Sequence, residues 1–334
     1  QAGEPFNVNS TLQLREVLFD RLGLPVLKKT PKGLPSTDAS VLQKLGDEHP
    51  IVNHLLQYRE LEKLRGTYVD GMLPLVESDG RIHCVFNQRG AATGRISSER
   101  PNMQNIPARS EEGRTIRRAF VAGAGRTFVV ADYSQIELRI LAHLSQDDAL
   151  MAAFHADEDI HTATAARVFD VAVGDVDYEM RRRAKVINFG LLYGMEAYGL
   201  AQRLEIDREE AQQQMDAYFD QFPGVREFMS SIVSDARNSG FTETILGRRR
   251  YLPELTSGNF RERQAGERMA LNAPIQGSAA DIIKKAMIEL DQRLETGGDE
   301  TLMLLQVHDE LVLETPEGAA EATAPGAETS DTVL

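Results

Sequence analysis

The segment TFVVADYSQIELR, residues 127–139, determines the fold prediction for this chain. Its first part, Phe128 to Ala131, is an apolar run of strand length that stops abruptly at Asp132. From Ile136 to Leu144 the apolar residues return at helical spacing. The segment therefore predicts a strand that carries an aspartate at its end and then passes into a helix.

A second aspartate lies between two further predicted strands. Leu302 to Val307 and Leu311 to Leu313 are apolar runs, and a short stretch with Asp309 and Glu310 separates them, which indicates a hairpin with acids at its tight turn. If the strand ending at Asp132 pairs beside this hairpin, the carboxylates converge, and their repulsion favours raised pKa values or bound divalent cations. Oxygen ligands suit Mg²⁺ or Mn²⁺ rather than zinc. Taken singly, each aspartate also fits an ordinary turn or cap.

The composition is that of a soluble globular protein, because 42% of the 334 residues are hydrophobic and 26% are charged. No apolar run approaches the roughly 20 residues that span a bilayer, and Gln1 opens no charged-then-apolar leader. We therefore expect a cytoplasmic protein without a membrane partner. Cys84 is the only cysteine, which excludes an internal disulfide and a cysteine-built zinc site.

The net charge of -14 argues against a protein that grips a polyanion, but the charges are unevenly distributed. From Arg89 to Arg126 there are eight arginines and three acids, a net charge of +5. Two more basic clusters lie at residues 181–185 and 248–268. Either these clusters contact phosphates, or they are solvated surface charge.

Most of the remaining chain is predicted to be helical. In the first 70 residues, Ser10 and Gln13 form a capping-box pattern before one helix, and a second helix runs from Ile51 to Leu64 and ends at Gly66. Residues 147–272 are mostly helices.

Two later capping-box patterns predict further helix starts, one at Asp207 with Glu210 and one at Ser278 with Asp281. From Thr315 onward the residues are mostly Ala, Thr, Glu, Pro and Gly without a basic residue, a composition that cannot bury enough surface to offset chain ordering. We therefore expect a low-complexity tail there.

Three segments resemble the sequence motifs of family A DNA polymerases, in the order of that family. DYSQIELR at 132–139 resembles motif A, RRRAKVINFGLLYG at 181–194 is similar to motif B, and QVHDELV at 306–312 is similar to motif C. The resemblance runs from about Gln1 to Leu313, and three ordered motifs make chance matching a poor explanation.

The resemblance implies an α+β, right-hand polymerase fold with an antiparallel-sheet palm, helical fingers and a partial helical thumb. We expect the thumb at 1–70, the palm at 71–145 and 270–334, and the fingers at 146–269. The family continues after motif C with a helix and a closing palm strand. This chain shows neither pattern after about residue 315, so we expect a truncated palm.

The resemblance also implies the activity, a template-directed DNA polymerase that adds deoxynucleoside triphosphates to a primer 3'-hydroxyl in replication and repair. Two Mg²⁺ ions, or Mn²⁺, would activate the hydroxyl and neutralise charge on the leaving pyrophosphate. Asp132 and Asp309 would be metal ligands with the carbonyl of Tyr133, and Glu310 a supporting acid or a solvated turn residue. The expected partners are primer-template DNA and dNTPs, and the expected state is a monomer near the bacterial nucleoid.

In motif B, four residues at four-residue intervals share one slowly drifting stripe of a helix. By resemblance, Arg181 and Lys185 meet the triphosphate, Phe189 packs on the sugar and base, and Tyr193 lies near the templating position. Core packing is the alternative for the two aromatic residues. A phenylalanine at 189 rather than a tyrosine implies discrimination against dideoxynucleotides.

Three further residues are assigned to the nucleotide. His161 matches a family histidine near the phosphates, although its sequence context also fits a satisfied surface or core histidine. Gln135 belongs to the same nucleotide-binding set. Glu137 resembles the steric gate of the family, which excludes a ribose 2'-hydroxyl and so predicts a preference for deoxynucleotides.

The residues assigned to duplex binding are of types that can reach minor-groove acceptors common to all base pairs. They lie in the basic window, in the segment RMALNAPIQG and in motif C. We expect Pro274 to break the helix before Gln276, so that this residue acts from a loop. The full set is Arg95, Asn102, Gln104, Asn105, Arg109, Arg268, Asn272, Gln276, Gln306 and His308.

Three other functions compete with an active polymerase. A catalytically impaired fragment would still bind primer-template DNA, and a metal-dependent nuclease could use the same acids. The nuclease would not need the stripe from Arg181 to Tyr193. A single-subunit RNA polymerase shares the two aspartates, but Glu137 argues against it.

Overall fold

A computed structural model of the chain describes residues 3–108, 110–297, 300–323 and 328–330. Two compact units form within it, one from Gln1–Cys84 with Asn105–Val121 and one from Val85–Gln104 with Ala122–Val333. The helices are α1 (Thr11–Arg15), α2 (Ala39–Lys44), α3 (Pro50–Leu64), α4 (Glu111–Arg117), α5 (Ile136–Ser145), α6 (Asp148–His155), α7 (Ile160–Val168), α8 (Tyr178–Leu192), α9 (Ala197–Leu204), α10 (Arg208–Gln221), α11 (Pro223–Ser239), α12 (Phe260–Gly297) and α13 (Ala320–Thr323). The strands are β1 (Val85–Asn87), β2 (Ser97–Glu99), β3 (Arg126–Asp132), β4 (Phe241–Glu243), β5 (Arg249–Tyr251), β6 (Leu302–Val307), β7 (Glu310–Pro316) and β8 (Glu328–Ser330).

The first unit is helical, with a core to which α1, α2 and α3 contribute buried leucine, valine and isoleucine side chains. The Ser10 hydroxyl accepts from the Gln13 N–H and caps α1 as predicted, but the Gln13 side chain accepts from Asn7 N–H at 2.7 Å rather than returning to Ser10. Only half of the predicted capping box therefore forms. The helical backbone also continues past Gly66 as a π-helical stretch, Arg65–Val69.

The central sheet of the second unit has the strand order β6-β7-β3-β8, and its neighbours are antiparallel. β3 and β7 pair along their whole length, from Arg126 opposite Pro316 to Asp132 opposite Glu310. β6 and β7 form the predicted hairpin, with Val307 opposite Glu310. The α+β fold is confirmed, and the strand ending at Asp132 lies directly beside the hairpin.

One large core joins α5 to the helices that follow it and to Leu311 of β7. Leu138, Leu141 and Ile187 are almost completely buried in it, and burying each such side chain stabilises the fold by about 1.5–3 kcal/mol. Asp147 fixes two helix starts at once, because its carboxylate accepts from Leu150 N–H at 3.0 Å and from Gly224 N–H at 2.9 Å. The helical prediction for residues 147–272 is confirmed for most of this span.

The prediction of a helix break at Pro274 is wrong, because α12 runs without interruption through it. Proline removes one backbone hydrogen bond, but the neighbouring Ala273 and Ile275 are only 4% and 2% exposed, so packing holds the helix together. Ser278 and Asp281 therefore do not cap a new helix. The Ser278 hydroxyl accepts from Ile245 N–H at 3.0 Å, and Asp281 forms an ion pair described below.

The start of α10 after Asp207 is correct, but its capping box is not. Within the described residues the Asp207 side chain makes no hydrogen bond to the helix start. Glu210 instead accepts from Arg183 Nη1 at 2.8 Å and from Gln214 Nε2 at 3.1 Å. A surface ion pair thus replaces the reciprocal cap.

The tail after Thr315 is also more ordered than its composition indicates. Ala320 of α13 is 7% exposed and packs against Val129 and Leu313, and β8 pairs with β3 on the side away from β7. Small Ala and Thr side chains fit closely against a sheet, which a composition rule cannot register. The expectation that neither a helix nor a strand follows after about residue 315 is therefore wrong. Among the described residues, no helix has the length and apolar character needed to cross a membrane.

Candidate active site

Asp132 and Asp309 meet where three strands end. β3 ends at Asp132, and His308 and Asp309 form the two-residue turn between β6 and β7. His308 makes this tight turn with a left-handed φ of 56°, which is uncommon for a residue other than glycine. The backbone N–H of Tyr133 donates to the carbonyl of Asp309 at 3.1 Å. Two chain segments far apart in sequence thus bring their acidic residues together.

The donor atoms at this point suit a hard divalent cation. Both aspartates offer carboxylate oxygens, and the Tyr133 carbonyl accepts one hydrogen bond, from Ile136 N–H at 3.2 Å, which leaves its second lone pair for a ligand. Within the described part of the chain, no group of three or more His, Cys, Asp or Glu side chains could hold a metal. Mg²⁺ commonly uses one or two carboxylates together with substrate phosphates, so the donor set fits it.

Glu137 connects motif A to two other segments. It is buried, and its Oε1 accepts from Arg95 Nη2 at 2.5 Å while its Oε2 accepts from the Tyr193 hydroxyl. Burial, and then the hydrogen bond to Glu137, raise the pKa of Tyr193, so its hydroxyl stays protonated and donates. Both oxygens of the carboxylate are therefore fixed by partners from the basic window and from motif B. Gln135, at the start of the same helix, has a left-handed φ of 57°.

Motif B forms α8, which presents the predicted stripe. Arg181 and Lys185 are exposed, whereas Phe189 and Tyr193 are half-buried against the core. Arg181 has a partner that the sequence did not indicate, because its Nε donates to Asp159 Oδ2 at 2.6 Å and its Nη2 to Oδ1 at 3.3 Å. Burial raises the pKa of Asp159, but the hydrogen bonds from Arg181 and Thr162 outweigh burial and lower this pKa to about 2.

His161 lies behind this stripe. It is 4% exposed, its ring centroid is 5.6 Å from that of Phe189, and its Nδ1 is 3.1 Å from Asn188 Nδ2. Burial lowers the pKa of His161 to about 4. The positive charges of Lys185 and Arg181 also lower this pKa, whereas the negative charge of Asp159 raises it. The imidazole is therefore neutral at physiological pH.

The residues predicted to follow a DNA duplex are partly occupied within the protein. Gln104 Nε2 lies within 3.0 Å of the carbonyls of Ile96 and Gln306, and Gln306 Nε2 donates to the His308 carbonyl. These amides connect the basic window to the motif C hairpin. The Asn102 side chain accepts from Gln104 N–H at 3.0 Å. Of the remaining predicted residues in this window, Asn105 accepts from the Tyr68 hydroxyl through its carbonyl, and Arg109 lies outside the described residues.

Arg268, Asn272 and Gln276 lie four residues apart on α12 and so share one helical face. Asn272 Oδ1 is buried and has no hydrogen-bond partner among the described residues. A buried polar atom without a partner is costly to the stability of the fold.

Sequence reasoning missed an ion pair between the exposed Arg248 and the buried Asp281. Arg248 donates to Asp281 Oδ1 through Nε at 2.8 Å and Nη2 at 2.6 Å, and Thr244 donates to Asp281 Oδ2 at 2.7 Å. A Cβ at Gly94 would lie 2.7 Å from Arg248 Nε, so the loop before Arg95 sits directly on this guanidinium. The sequence signals only the local part of this contact, in which Arg248 N–H donates to the hydroxyl of Thr244, four residues earlier.

Several arginines that the sequence suggested for phosphate contacts are likewise paired with acids. Arg182 and Arg183 bind Glu179, and Arg249 binds Glu243. For these residues the solvated-surface alternative describes the structure better than a free cationic cluster does.

Comparison with known proteins places these features in one family. The family model described as DNA polymerase family A matches residues 1–330, which extends past Leu313, the end of the resemblance inferred from the motifs. DNA polymerase I of Geobacillus stearothermophilus is 54% identical over 322 residues, covering 96% of this chain and 37% of that protein. The thermostable DNA polymerase I of Thermus aquaticus is 54% identical over 325 residues, covering 97% of this chain and 39% of that protein.

A solved structure, the POL domain of Pol1 from M. smegmatis in complex with DNA primer-template and dNTP, superposes with a TM-score of 0.92. It is 50% identical, and the match covers 99% of this chain and 62% of that one. The chain spans less than two fifths of the length of the two DNA polymerase I relatives. Because the family model matches nearly all of its residues, the chain belongs to DNA polymerase family A.

Proposed function

We propose that this chain is a template-directed DNA polymerase that adds dNTPs to a primer 3'-hydroxyl by two-metal nucleotidyl transfer, in DNA replication and repair. The observation that carries the proposal is the meeting of Asp132 with Asp309 of the β6–β7 turn and with Glu310 at the start of β7. The M. smegmatis relative, solved with primer-template and dNTP, supports the same substrates here. We assign residues 1–70 to a partial thumb, 71–145 and 270–334 to the palm, and 146–269 to the fingers.

Asp132 and Asp309, with the Tyr133 carbonyl, would hold two Mg²⁺ ions, for which Mn²⁺ could substitute. When bound, such ions lower the pKa of the attacking hydroxyl and neutralise charge on the leaving pyrophosphate. The contribution of the chain is to place the two carboxylates at the ends of paired strands, so that their positions are fixed before substrate arrives. Glu310 is a supporting acid in the first position of β7.

The triphosphate is bound by the cations of α8. Arg181 exchanges Asp159 for phosphate oxygens, and both contacts are charge-assisted, so the exchange conserves hydrogen bonds. Until then Asp159 holds the guanidinium near its working position. Lys185 adds a second positive charge one turn later, Phe189 packs on the sugar and base, and Tyr193 ends the helix near the templating position.

Selection against ribonucleotides follows from the rigidity of Glu137. A gate excludes a 2'-hydroxyl only if it cannot move aside, and the Glu137 carboxylate is held at both oxygens by Arg95 and Tyr193. Motion of the gate would require breaking a partly buried ion pair. Arg95 therefore contacts the duplex while it also braces the sugar pocket.

The duplex is followed by residues from three segments. Arg268, Asn272 and Gln276 share one face of α12, which would lie along the duplex. Gln104 donates to the Gln306 carbonyl and so joins the basic window to the motif C hairpin. This contact would fix the position of the primer relative to the metal ligands. The pairing of β8 with β3 supports an active polymerase over the alternative of an impaired DNA-binding fragment.

Primer extension with Mg²⁺ and the four dNTPs tests the proposal. We expect extension by the wild-type chain, none after chelation of the metal, and a loss of at least about 10³-fold for Asp132→Ala with primer-template still shifted on a gel. Asp220→Ala, which removes an exposed aspartate on α10, is the matched control and should extend normally. A wild-type chain that shifts primer-template but adds no nucleotide is a binder only, and this result would contradict polymerase activity.

A further inference from the structure

Motif B contains one polar side chain, Asn188, that is completely buried and that the nucleotide stripe does not use. Its Nδ2 lies 3.1 Å from His161 Nδ1 and 3.1 Å from the hydroxyl of Thr164, which is also completely buried. The same hydroxyl lies 3.3 Å from Asn188 Oδ1. A buried amide costs stability unless it is hydrogen-bonded, and both the nitrogen and the oxygen of the Asn188 amide have partners in this network between α7 and α8.

The arrangement has a consequence for the histidine. An amide nitrogen can only donate, and a neutral imidazole carries one proton on one of its two nitrogens. If Nδ1 accepts from Asn188, the proton must be on Nε2. We propose that Asn188 is a positioning residue that holds His161 as the neutral Nε2–H tautomer, so that the imidazole donates a hydrogen bond to the triphosphate of the incoming dNTP; this rests on the proposed function.

The charges around His161 agree with a neutral donor. From the start of α7 it faces Asp159, and from α8 it faces Arg181 and Lys185, while Phe189 packs against its ring. Two cations beside a buried ring disfavour an imidazolium. In the opposite tautomer, Nε2 has a lone pair instead of a proton. It could not hydrogen-bond to a phosphate oxygen, because both atoms are acceptors. The Nε2–H tautomer therefore lets His161 add a hydrogen bond where Arg181 and Lys185 already supply the positive charge.

The tautomer can be measured without any enzymatic activity. Protein labelled with ¹⁵N-histidine is examined at pH 7 by long-range ¹H–¹⁵N correlation, which separates the two neutral tautomers and the imidazolium by their nitrogen shifts, and the His161→Gln variant identifies the signal. We expect the Nε2–H pattern. An Nδ1–H pattern, or an imidazolium at pH 7, would overturn the proposal whatever the polymerase assay shows.

The Asn188→Asp variant tests the functional half. A carboxylate can only accept, so it requires a proton on Nδ1 and favours the imidazolium. At pH 8 we expect the KM for dNTP to rise by at least about 10-fold, because a hydrogen bond to a charged group is lost, with a smaller change in kcat. As the pH falls towards 6 the imidazolium forms, Nε2 carries a proton again, and the KM should return towards the wild-type value.

Two further variants separate this effect from lost packing. Thr164→Val removes the other hydrogen bond of Asn188 without changing the acceptor at Nδ1, so it should lower stability and leave the KM independent of pH. Asn188→Asp combined with His161→Gln should have no pH-dependent KM between 6 and 8. A pH dependence that persists in the double variant, or a flat KM in Asn188→Asp, would overturn the proposal. If the wild-type chain binds no dNTP, both the proposed function and the hydrogen bond from His161 to the triphosphate are refuted. The NMR spectrum then decides separately whether Asn188 sets the tautomer of His161.

Discussion

Replacing Arg126 with methionine is expected to destabilise the protein by an amount that grows with pH. Glu314 of β7 is completely buried, and its carboxylate lies 3.3 Å from Arg126 Nε and accepts from Gly123 N–H at 2.8 Å. Arg126 is itself mostly buried and also donates to the Glu314 carbonyl at 3.1 Å. The variant removes the Arg126 cation from beside a buried carboxylate, and such a loss typically costs about 3–5 kcal/mol.

Protonation sets a limit on this cost. A glutamate with an ordinary pKa of about 4.3 can take up a proton at a cost of about 1.36 kcal/mol per pH unit above that value. The ion-pair part of the loss is therefore limited to about 3.7 kcal/mol at pH 7 and about 1 kcal/mol at pH 5. In the variant the folded state binds a proton that the unfolded state releases, so its stability falls as pH rises above about 4.3.

Urea unfolding followed by circular dichroism at pH 5 and pH 7 measures the difference. Arg249→Met is the matched control, since its partner Glu243 is exposed and such pairs contribute at most about 1 kcal/mol. Arg126→Met combined with Glu314→Gln keeps an acceptor for Gly123 and should abolish the pH dependence. Equal destabilisation by Arg126→Met at both pH values would refute the reasoning, because the buried charge would then not be its source.

Three predictions concern the nucleotide site. Glu137→Ala should raise ribonucleotide incorporation relative to deoxynucleotide incorporation by on the order of 10–100-fold, and an unchanged ratio of kcat/KM values would remove the gate assignment. Phe189→Tyr should increase chain termination by dideoxynucleotides in a sequencing-type extension assay, whereas unaltered termination would contradict the role of Phe189 in selectivity. Asp159→Ala should lower the KM for dNTP a few-fold by freeing Arg181, with little change in kcat. Because the pKa of Asp159 is about 2, the wild-type ion pair should persist as pH falls to about 4, and a wild-type KM that drops between pH 7 and 5 would contradict this low pKa. An unchanged or raised KM in Asp159→Ala would indicate that Asp159 does not compete with phosphate.

The parts of the fold that the sequence predicts well depend on short-range patterns. β3 and the β6–β7 hairpin are apolar runs with acids at their ends, and this pattern is sufficient because a strand buried in a sheet needs apolar side chains wherever it lies. The stripe from Arg181 to Tyr193 is equally local, since helical geometry alone sets which residues share a face.

The parts that the sequence predicts poorly depend on partners distant in the chain. Pro274 is tolerated because residues of α12 before and after it are packed. Asp281 does not cap a helix, because it binds Arg248, which lies 33 residues earlier in the chain. The tail after Thr315 packs because a sheet is already present to receive it. Composition and spacing carry no information about such contacts, and charge counting overstates the number of arginines that could contact phosphates.

The contacts of Glu137 show why roles assigned motif by motif are not independent. Arg95 was assigned to the duplex, Glu137 to the sugar and Tyr193 to the templating position, yet one carboxylate binds both of the other side chains. Neighbours that share a buried network do not have additive effects when they are changed together. Under the roles proposed above, a substitution at Arg95 is therefore expected to loosen the sugar gate as well as the primer contact.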